Sequence, residues 1–350
     1  MRQKWNGGRM PDRGPGRRTV AVVLAALTAA TPVACSTGDG APPPAAASRP
    51  AAASVAPRPT TPSSASPTAG KPASSTRVEP ASGRAPAGPF AVGVRHVKLR
   101  RGVDRPLPTT VWYPATGRPG PGVSEGSTVA PGPFPLILFS HGLTTVPDDY
   151  RTIVTRWVAA GFVVAAPAYP HTSRGVRDYD PVDLINQPAD ASRVITAVLA
   201  LNSRPGDPLH GRINAGRIAA AGHSGGGITT VGLFTGNRDE RLDAGIVLAG
   251  QRLLKAPFTG PPAPMLFVHG KQDTTVAYAA GLATFRAVPW PRAMLTVTAG
   301  GHVTTPRDFG VTVGTTTEFL RWSLYGDRAA KARIAREARR GGIAELTDKL

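Results

Sequence analysis

Two hydrophobic patterns alternate along the chain from about residue 89 onward. Short, continuous apolar runs such as 135–139 are typical of strands that are buried on both faces of a sheet. Longer segments have helical spacing instead: within 148–160, the side chains of Ile153, Val154 and Trp157 fall on one side of a helix. The alternation of these patterns predicts strands connected through crossover helices.

The predicted elements define an α/β fold. Strands are expected at 92–99, 109–113, 135–139, 162–166, 218–221, 244–248, 265–268 and 294–297, and helices at 148–160, 190–201, 226–234, 277–286 and 316–324. This order predicts a mainly parallel central sheet of about eight strands with helices on both faces. We expect no large lid domain, although the stretch 169–188 can cover one side of a cleft.

Composition divides the chain into four parts. Residues 1–35 have a basic start and an apolar run at 20–30 that is too short to span a membrane, which predicts an export signal. Residues 36–88 are rich in Pro, Ala and Ser and predict a disordered linker. Residues 89–326 predict the α/β domain, and 327–350 a basic helical tail.

The single cysteine, Cys35, excludes an intrachain disulfide and lies just after the apolar run of the signal. Val33-Ala34-Cys35 resembles the end of a bacterial lipoprotein signal, with Pro32 where Leu or Val is usual. Two outcomes stay open: lipidation of Cys35, which would attach the protein to a membrane, or ordinary cleavage near Ala30 or Ala34. Both predict a secreted or envelope-anchored protein.

The formal net charge of +19 raises nucleic-acid binding as a hypothesis. Much of the excess lies in the signal, the linker and the tail, and the predicted domain contains no Lys/Arg run interleaved with aromatic residues. We therefore expect no nucleic-acid partner. Attraction to an anionic cell envelope is the alternative use of this charge.

The strongest chemical signal is the pentapeptide Gly222-His223-Ser224-Gly225-Gly226, which directly follows the predicted strand 218–221. A G-x-S-x-G motif between a strand and a helix holds a nucleophilic serine on a sharp turn. Glycines on both sides of the serine leave room for that backbone. Ser224 is therefore the candidate nucleophile.

A second G-x-S-x-G pattern occurs at 122–126, with Ser124 at its centre. It lies among prolines, with no predicted strand before it and no predicted helix after it. A nucleophile turn needs both neighbours. This context excludes Ser124 and selects Ser224.

Two further candidates follow predicted strands in the chain order that this architecture requires, serine before acid before histidine. Strand 265–268 leads to Asp273, the candidate acid, and strand 294–297 leads through a glycine-rich loop to His302, the candidate base. A base oriented by a carboxylate is what activates a serine hydroxyl at neutral pH.

Acyl transfer also requires donors for the developing oxyanion. The backbone N–H of Gly225, directly after the nucleophile, is one candidate. The other is the N–H of Leu143, in the loop that follows strand 135–139, where Gly142 lets the backbone approach a ligand closely.

The remaining histidines are expected to have packing or hydrogen-bonding roles. No His, Cys and carboxylate spacing typical of zinc occurs, and no nucleotide-binding glycine loop follows a strand, so we expect no cofactor. The histidines concerned are His141 and His223 beside the candidate oxyanion loop and nucleophile, His269 as a structural residue, and His96, His171 and His210 without a partner motif.

Three segments give the chain a family resemblance over about 89–326. They are Phe139-Ser140-His141-Gly142, Gly222-His223-Ser224-Gly225-Gly226 and His269-Gly270-Lys271-Gln272-Asp273. With them the chain resembles the α/β-hydrolase superfamily, and is similar to its platelet-activating-factor acetylhydrolase, dienelactone hydrolase and cutinase-like polyester hydrolase groups. The resemblance implies a lidless esterase that works through an acyl-enzyme.

The sequence departs from two of these groups. Ser224 stands where dienelactone hydrolases carry a cysteine, and the loop 250–253 lacks the tryptophan that polyester hydrolases carry there. We expect a monomer that hydrolyses a small-molecule or lipid ester. The alternatives are an acyltransferase or peptidase with the same triad, and a non-catalytic envelope-binding protein.

Overall fold

The structure is a computed structural model that describes residues 84–350. The predicted export signal, Cys35 and the linker up to residue 83 lie outside the described residues. Within the described part, no helix combines the length and the apolar character needed to cross a membrane.

One ten-stranded sheet organises the described part of the chain, in the order β10-β9-β8-β7-β6-β4-β5-β2-β1-β3. The strands are β1 (Ala91–Arg101), β2 (Arg105–Ala115), β3 (Val123–Glu125), β4 (Phe134–Ser140), β5 (Val163–Pro167), β6 (Ile213–His223), β7 (Leu242–Leu248), β8 (Met265–Gly270), β9 (Arg292–Val297) and β10 (Ala344–Lys349). The neighbours from β5 to β9 pair in parallel, whereas β2 and β10 pair antiparallel on either side of them.

The helices cover both faces of this sheet. They are α1 (Arg151–Ala159), α2 (Gln187–Asn202), α3 (Gly225–Gly232), α4 (Tyr278–Ala287), α5 (Pro306–Tyr325) and α6 (Arg328–Ala338), with short 3-10 turns at Pro147–Tyr150, Pro181–Ile185 and Arg340–Gly342. Side chains of α2, α3 and α4 pack in one hydrophobic core, and those of α1, α5 and α6 in the other.

Strand β4 shows why a continuous apolar run forms a central strand. Its side chains alternate between the two cores: Leu136 and Leu138 lie in one, and Ile137 and Phe139 in the other. All four are fully buried. A strand covered on both faces has no solvent side, so the sequence of β4 is apolar at every position before its last residue, Ser140.

The prediction of an α/β fold with a mainly parallel sheet is confirmed, but the expected strand number is wrong. The sheet has ten strands, and the two that the sequence does not predict are β3 and β10. β3 has only three residues and β10 is largely exposed, so neither has a hydrophobic pattern. Short or charged strands are usual at sheet edges, where pairing with another chain must be avoided.

Strand β3 also corrects the description of the second G-x-S-x-G pattern. Ser124 lies within this strand, which pairs with β1, although the sequence predicted no strand nearby. The residue is exposed and is followed by a turn at Gly126, with φ of 66°, rather than by a helix. The strand-to-helix turn required of a nucleophile is therefore absent at Ser124.

Three features of the predicted segments differ in the structure: the tail, the start of the folded part and the start of α5. The tail 327–350 was expected to be helical, but it contains both α6 and β10, and β10 pairs along β9 as part of the main sheet. Packing also begins before residue 89, since Ala85 is buried and Pro86 lies against Gly161. Helix α5 starts earlier than the predicted 316, because Thr305 and Asp308 form a capping box at its beginning.

Candidate active site

Ser224 lies on a strained turn between β6 and α3. Its φ of 56° and ψ of −119° are values that a non-glycine residue rarely adopts. The turn is held because the Ser224 N–H donates to the Leu248 carbonyl at 2.9 Å. Strain of this kind persists only where the surrounding structure enforces it, and it is common at functional sites.

Two glycines of the pentapeptide are required sterically. A Cβ atom on Gly222 would lie 2.1 Å from the Gly226 carbonyl oxygen, and one on Gly226 would lie 1.9 Å from the Ser140 carbonyl oxygen. Both distances are far below a van der Waals contact. The end of β4 and the start of α3 can therefore meet only through glycine.

The three catalytic candidates form one line of hydrogen bonds. His302 Nε2 lies 2.8 Å from Ser224 Oγ, and His302 Nδ1 lies 2.8 Å from Asp273 Oδ2. Ser224 follows β6, Asp273 follows β8 and His302 follows β9. Because these strands are parallel, their carboxyl ends meet at the same edge of the sheet.

Asp273 is buried and receives donors at both carboxylate oxygens. Oδ1 accepts from the N–H groups of Thr275 and Val276 at 2.8 and 2.9 Å. Oδ2 lies 3.2 Å from His269 Nε2 as well as beside His302. Burial by itself would raise the pKa of Asp273, but the hydrogen bonds from His269 and His302 outweigh it and hold that pKa well below its usual range.

The contact of His269 with Asp273 was missed by the sequence analysis, which assigned His269 only a structural role. The i, i+4 spacing of the two residues across the end of β8 was the available signal. His269 Nε2 also lies 2.9 Å from the Val276 carbonyl, so its N–H is shared between two acceptors.

A second histidine holds the backbone of the candidate base. His223 Nε2 donates to the His302 carbonyl at 2.7 Å, and His223 Nδ1 accepts from the Tyr150 hydroxyl at 2.9 Å. Burial, reinforced by the charge of His302, lowers the pKa of His223 from 6.5 to about 4. His223 is therefore neutral at neutral pH and joins Tyr150 to the backbone of His302 through two hydrogen bonds.

The Gly142–Leu143 peptide is held in one orientation. The Gly142 carbonyl accepts from His141 Nδ1 and from Thr145 Oγ1, both at 2.7 Å. In a trans peptide the N–H points opposite to the carbonyl, so the Leu143 N–H faces away from these donors. A Cβ on Gly225 would lie 3.4 Å from the Leu143 nitrogen, which places the two oxyanion candidates side by side.

Tyr150 connects the two halves of the site. Its hydroxyl accepts from the Gly142 N–H at 3.0 Å and donates to His223, which in turn holds His302. The oxyanion loop and the loop of the candidate base are thus joined through side chains. Burial raises the pKa of Tyr150, so the hydroxyl keeps its proton at neutral pH.

Two apolar surfaces lie near the line of hydrogen bonds. Leu143, Leu184, Ile228 and Val276 form a small buried cluster, in which Leu184 comes from the predicted covering stretch 169–188. A cleft of about 560 Å³ is lined by Thr145, Asp149, Tyr150, Thr152, Ile153, His223, Leu248, Val303, Thr304, Thr305, Pro306 and Phe309. We call it the histidine-side cleft.

Within residues 84–350, no cluster of His, Cys, Asp or Glu side chains has an arrangement that could hold a metal ion. Two of the remaining histidines have local partners only: His96 lies 3.3 Å from the Thr110 hydroxyl, and His171 lies 3.1 Å from the Asp178 carbonyl.

Neither a protein-family model nor a curated protein sequence matches the chain. A functional assignment therefore depends on the geometry described above.

Proposed function

We propose that this chain is a serine hydrolase of the α/β-hydrolase type that cleaves carboxylic esters. The observation that carries the proposal is the continuous hydrogen-bonded line from Ser224 through His302 to Asp273. The strained strand-to-helix turn at Ser224 and the chain order of the three residues support the same assignment. From the N-terminal pattern we propose that the enzyme is exported and acts outside the cytoplasm.

The first step is attack by Ser224 Oγ on the ester carbonyl carbon. His302 Nδ1 donates to Asp273, which leaves Nε2 free to accept the serine proton. The ionised carboxylate of Asp273 then faces an imidazolium and stabilises it. Its low pKa keeps it in that charged form throughout the cycle.

The tetrahedral intermediate carries its negative charge on the former carbonyl oxygen. The N–H groups of Leu143 and Gly225 are the proposed donors to that oxyanion, and loss of one such donor in serine hydrolases costs about 10²- to 10³-fold in kcat. Collapse of the intermediate releases the alcohol, which takes its proton from His302 Nε2. A water molecule then attacks the acyl-enzyme by the same route and regenerates Ser224.

The test is hydrolysis of p-nitrophenyl esters of increasing acyl length by the full chain and by two alanine variants. Ser224→Ala removes the proposed nucleophile, whereas Ser124→Ala removes the serine of the second G-x-S-x-G pattern and is the matched control. We expect a loss of at least about 10⁴-fold in kcat in the first variant and none in the second.

A fluorophosphonate probe provides an independent readout, since it should modify Ser224 in the wild-type chain and in Ser124→Ala. Equal ester turnover by wild type and Ser224→Ala, together with no labelling at Ser224, would refute the proposed function.

A further inference from the structure

The histidine-side cleft is an apolar space with a defined position beside the proposed reaction centre. Its walls come from the start of α1, the end of β7 and the segment that leads from His302 into α5. A volume of about 560 Å³ falls within the range of small-molecule sites. It is large enough for a phenyl or benzyl group or a medium-length alkyl chain.

Several lining residues are direct neighbours of the reacting groups. Val303 follows His302 in the chain, and His223 precedes Ser224. Leu248, which also lines the cleft, accepts the Ser224 N–H through its carbonyl. His223 also packs against the His302 ring, with 4.8 Å between the ring centroids. The cleft thus adjoins residues that contact the proposed base and nucleophile, while Ser224 and His302 are not themselves among its lining residues.

The chemistry of ester cleavage determines which part of a substrate is directed to that side. The tetrahedral carbon bears Ser224 Oγ, the oxyanion, the acyl group and the alcohol oxygen. The oxyanion faces Leu143 and Gly225, and the alcohol oxygen must face His302 Nε2, which protonates it. The group attached to that oxygen thus leaves along the His302 side of the site, next to the cleft.

The lining determines what kind of group can occupy the cleft. Ile153, Leu248, Pro306 and Phe309 provide apolar contacts. The lining residues include one carboxylate, Asp149, and neither lysine nor arginine.

Two ionisable groups contact or line the cleft beside Asp149. Arg174 pairs with Asp149 at 2.8 Å, so the charges of these two side chains compensate each other. His223 is neutral above its pKa of about 4. The lining therefore offers an anionic group no lysine or arginine with which to pair.

We propose that the histidine-side cleft binds the alcohol portion of the ester and selects uncharged apolar or aromatic alcohols over small and over anionic ones. This inference rests on the proposed function, because the position of the alcohol follows from the roles of Ser224 and His302. Thr152 is an exposed residue on the α1 wall of the cleft. Substituting it tests the inference without changing Ser224, His302 or Asp273.

The experiment uses three acetate esters that differ only in the alcohol: methyl, benzyl and 4-carboxybenzyl acetate. Thr152→Trp fills the cleft, and Thr152→Arg adds a cation to its wall. Arg151→Trp places the same bulky residue at an exposed position of α1 that does not line the cleft and lies on the opposite face of the helix from Ile153, and is the matched control. Circular dichroism of each full-length variant checks that the fold is retained.

For the wild-type chain we expect kcat/KM to be about tenfold higher for benzyl than for methyl acetate, with the 4-carboxybenzyl ester well below the benzyl ester. Thr152→Trp should lower kcat/KM for benzyl acetate about tenfold while methyl acetate changes less than about twofold. Thr152→Arg should raise kcat/KM for the carboxylate ester about tenfold relative to the benzyl ester. Arg151→Trp should resemble the wild type.

Two outcomes overturn the inference and can be told apart. If Thr152→Trp changes all three esters by one common factor, or none of them, while Ser224→Ala remains inactive, the cleft does not hold the alcohol and the proposed hydrolase function stands. If the wild-type chain hydrolyses none of the esters in this series or among the p-nitrophenyl esters, the proposed function fails and the assignment of the cleft fails with it.

Discussion

At the scale of single residues, the turn around Ser224 depends on glycine more strictly than on any polar group. Gly226→Ala would force a Cβ to within 1.9 Å of the backbone oxygen of Ser140. Backbone cannot move aside as a flexible side chain can, so we expect loss of ester turnover and destabilisation by about 3 kcal/mol or more. Urea unfolding and p-nitrophenyl ester hydrolysis measure the two effects.

Gly310→Ala provides the matched comparison for that substitution. Gly310 is exposed on α5, and a Cβ there would have no atom within 4 Å. Alanine is favoured over glycine in a helix, so this variant should gain about 0.5–1 kcal/mol of stability and keep full activity. If Gly226→Ala behaved like Gly310→Ala, the close approach of β4 and α3 would not be a requirement of the fold.

His269 contacts the candidate acid Asp273, although its sequence position predicts only a structural role. It donates toward Asp273 Oδ2 at 3.2 Å without belonging to the proposed proton path. A hydrogen bond to a charged group contributes about 1.5–3 kcal/mol, so His269→Leu should lower kcat about tenfold or more. KM should stay unchanged, because His269 is proposed to act through Asp273 and not on the substrate.

The amide variant His269→Gln can still donate to Asp273 and should restore much of the lost kcat. Tyr278→Phe is a control for a nearby polar change: it keeps the ring that lies edge-on to His269 at 5.8 Å between centroids and removes only the hydroxyl that contacts Thr296 at 2.8 Å, so kcat should stay at the wild-type value. Equal losses in the leucine and glutamine variants would show that His269 only fills space.

The sequence could indicate Ser224, Asp273 and His302 because each follows an apolar run that predicts a strand, and parallel strands end at one edge. It could not indicate that His223 supports His302, since that contact depends on how two loops far apart in the chain fold against each other. The same limit applies to the partnership of Tyr150 with Gly142. Patterns along the chain predict where loops meet, but not which side chains pair there.

At the scale of elements, the 3-10 turn Pro181–Ile185 is fastened to the sheet by a partly buried arginine. Arg105, on β2, lies 2.9 Å from Asp183 and 2.5 Å from Asp190, and both carboxylates are almost fully buried. The turn carries Leu184, which packs with Leu143 on the oxyanion side of the site. The ion pairs therefore position one wall of the proposed substrate site.

Arg105→Met would leave both carboxylates buried without this partner. Removing one member of a buried ion pair costs about 3–5 kcal/mol, and we expect a loss near the lower end because Arg101 also contacts Asp190 at 2.6 Å. Urea unfolding gives the change, and a raised KM for p-nitrophenyl esters would report the loosened wall.

Arg151→Met is the control for that experiment. Its partner Asp148 is 69% exposed at the side chain, and an exposed pair contributes about 0–1 kcal/mol. A similar effect of the two methionine variants would mean that the Arg105 cluster does not fasten the turn.

Hydrophobic patterns along the chain do not predict two parts of the structure, β10 and the first half of α5. Strand β10 pairs with β9 through its backbone, and of its six side chains only Ala344 and Leu346 are partly buried against the core, which is too weak an apolar pattern to predict a strand. The first half of α5 was missed for a related reason: its start depends on the cap at Thr305 and Pro306 more than on apolar spacing.

At the scale of the whole molecule, the two loops around the proposed reaction centre are held by buried histidines that must stay neutral. His141 holds the Gly142 carbonyl, and His223 holds the His302 carbonyl. Burial lowers the pKa of each from 6.5 to about 4. Between these two pH values the unfolded chain takes up protons at both residues while the folded chain does not.

Stability should therefore be full above pH 6.5 and fall steadily as the pH decreases toward 4, by about 2–3 kcal/mol for each histidine. Urea unfolding of the full chain between pH 7.5 and 4.5 measures this slope.

His223→Gln keeps a donor and an acceptor but cannot titrate, so the slope should fall to about half of the wild-type value. His96→Gln, at an exposed position of β1, controls for replacing a histidine as such. A slope that is unchanged in His223→Gln would mean that folding does not lower the pKa of His223, and that the hydrogen bonds of His223 to Tyr150 and His302 do not depend on its neutral form.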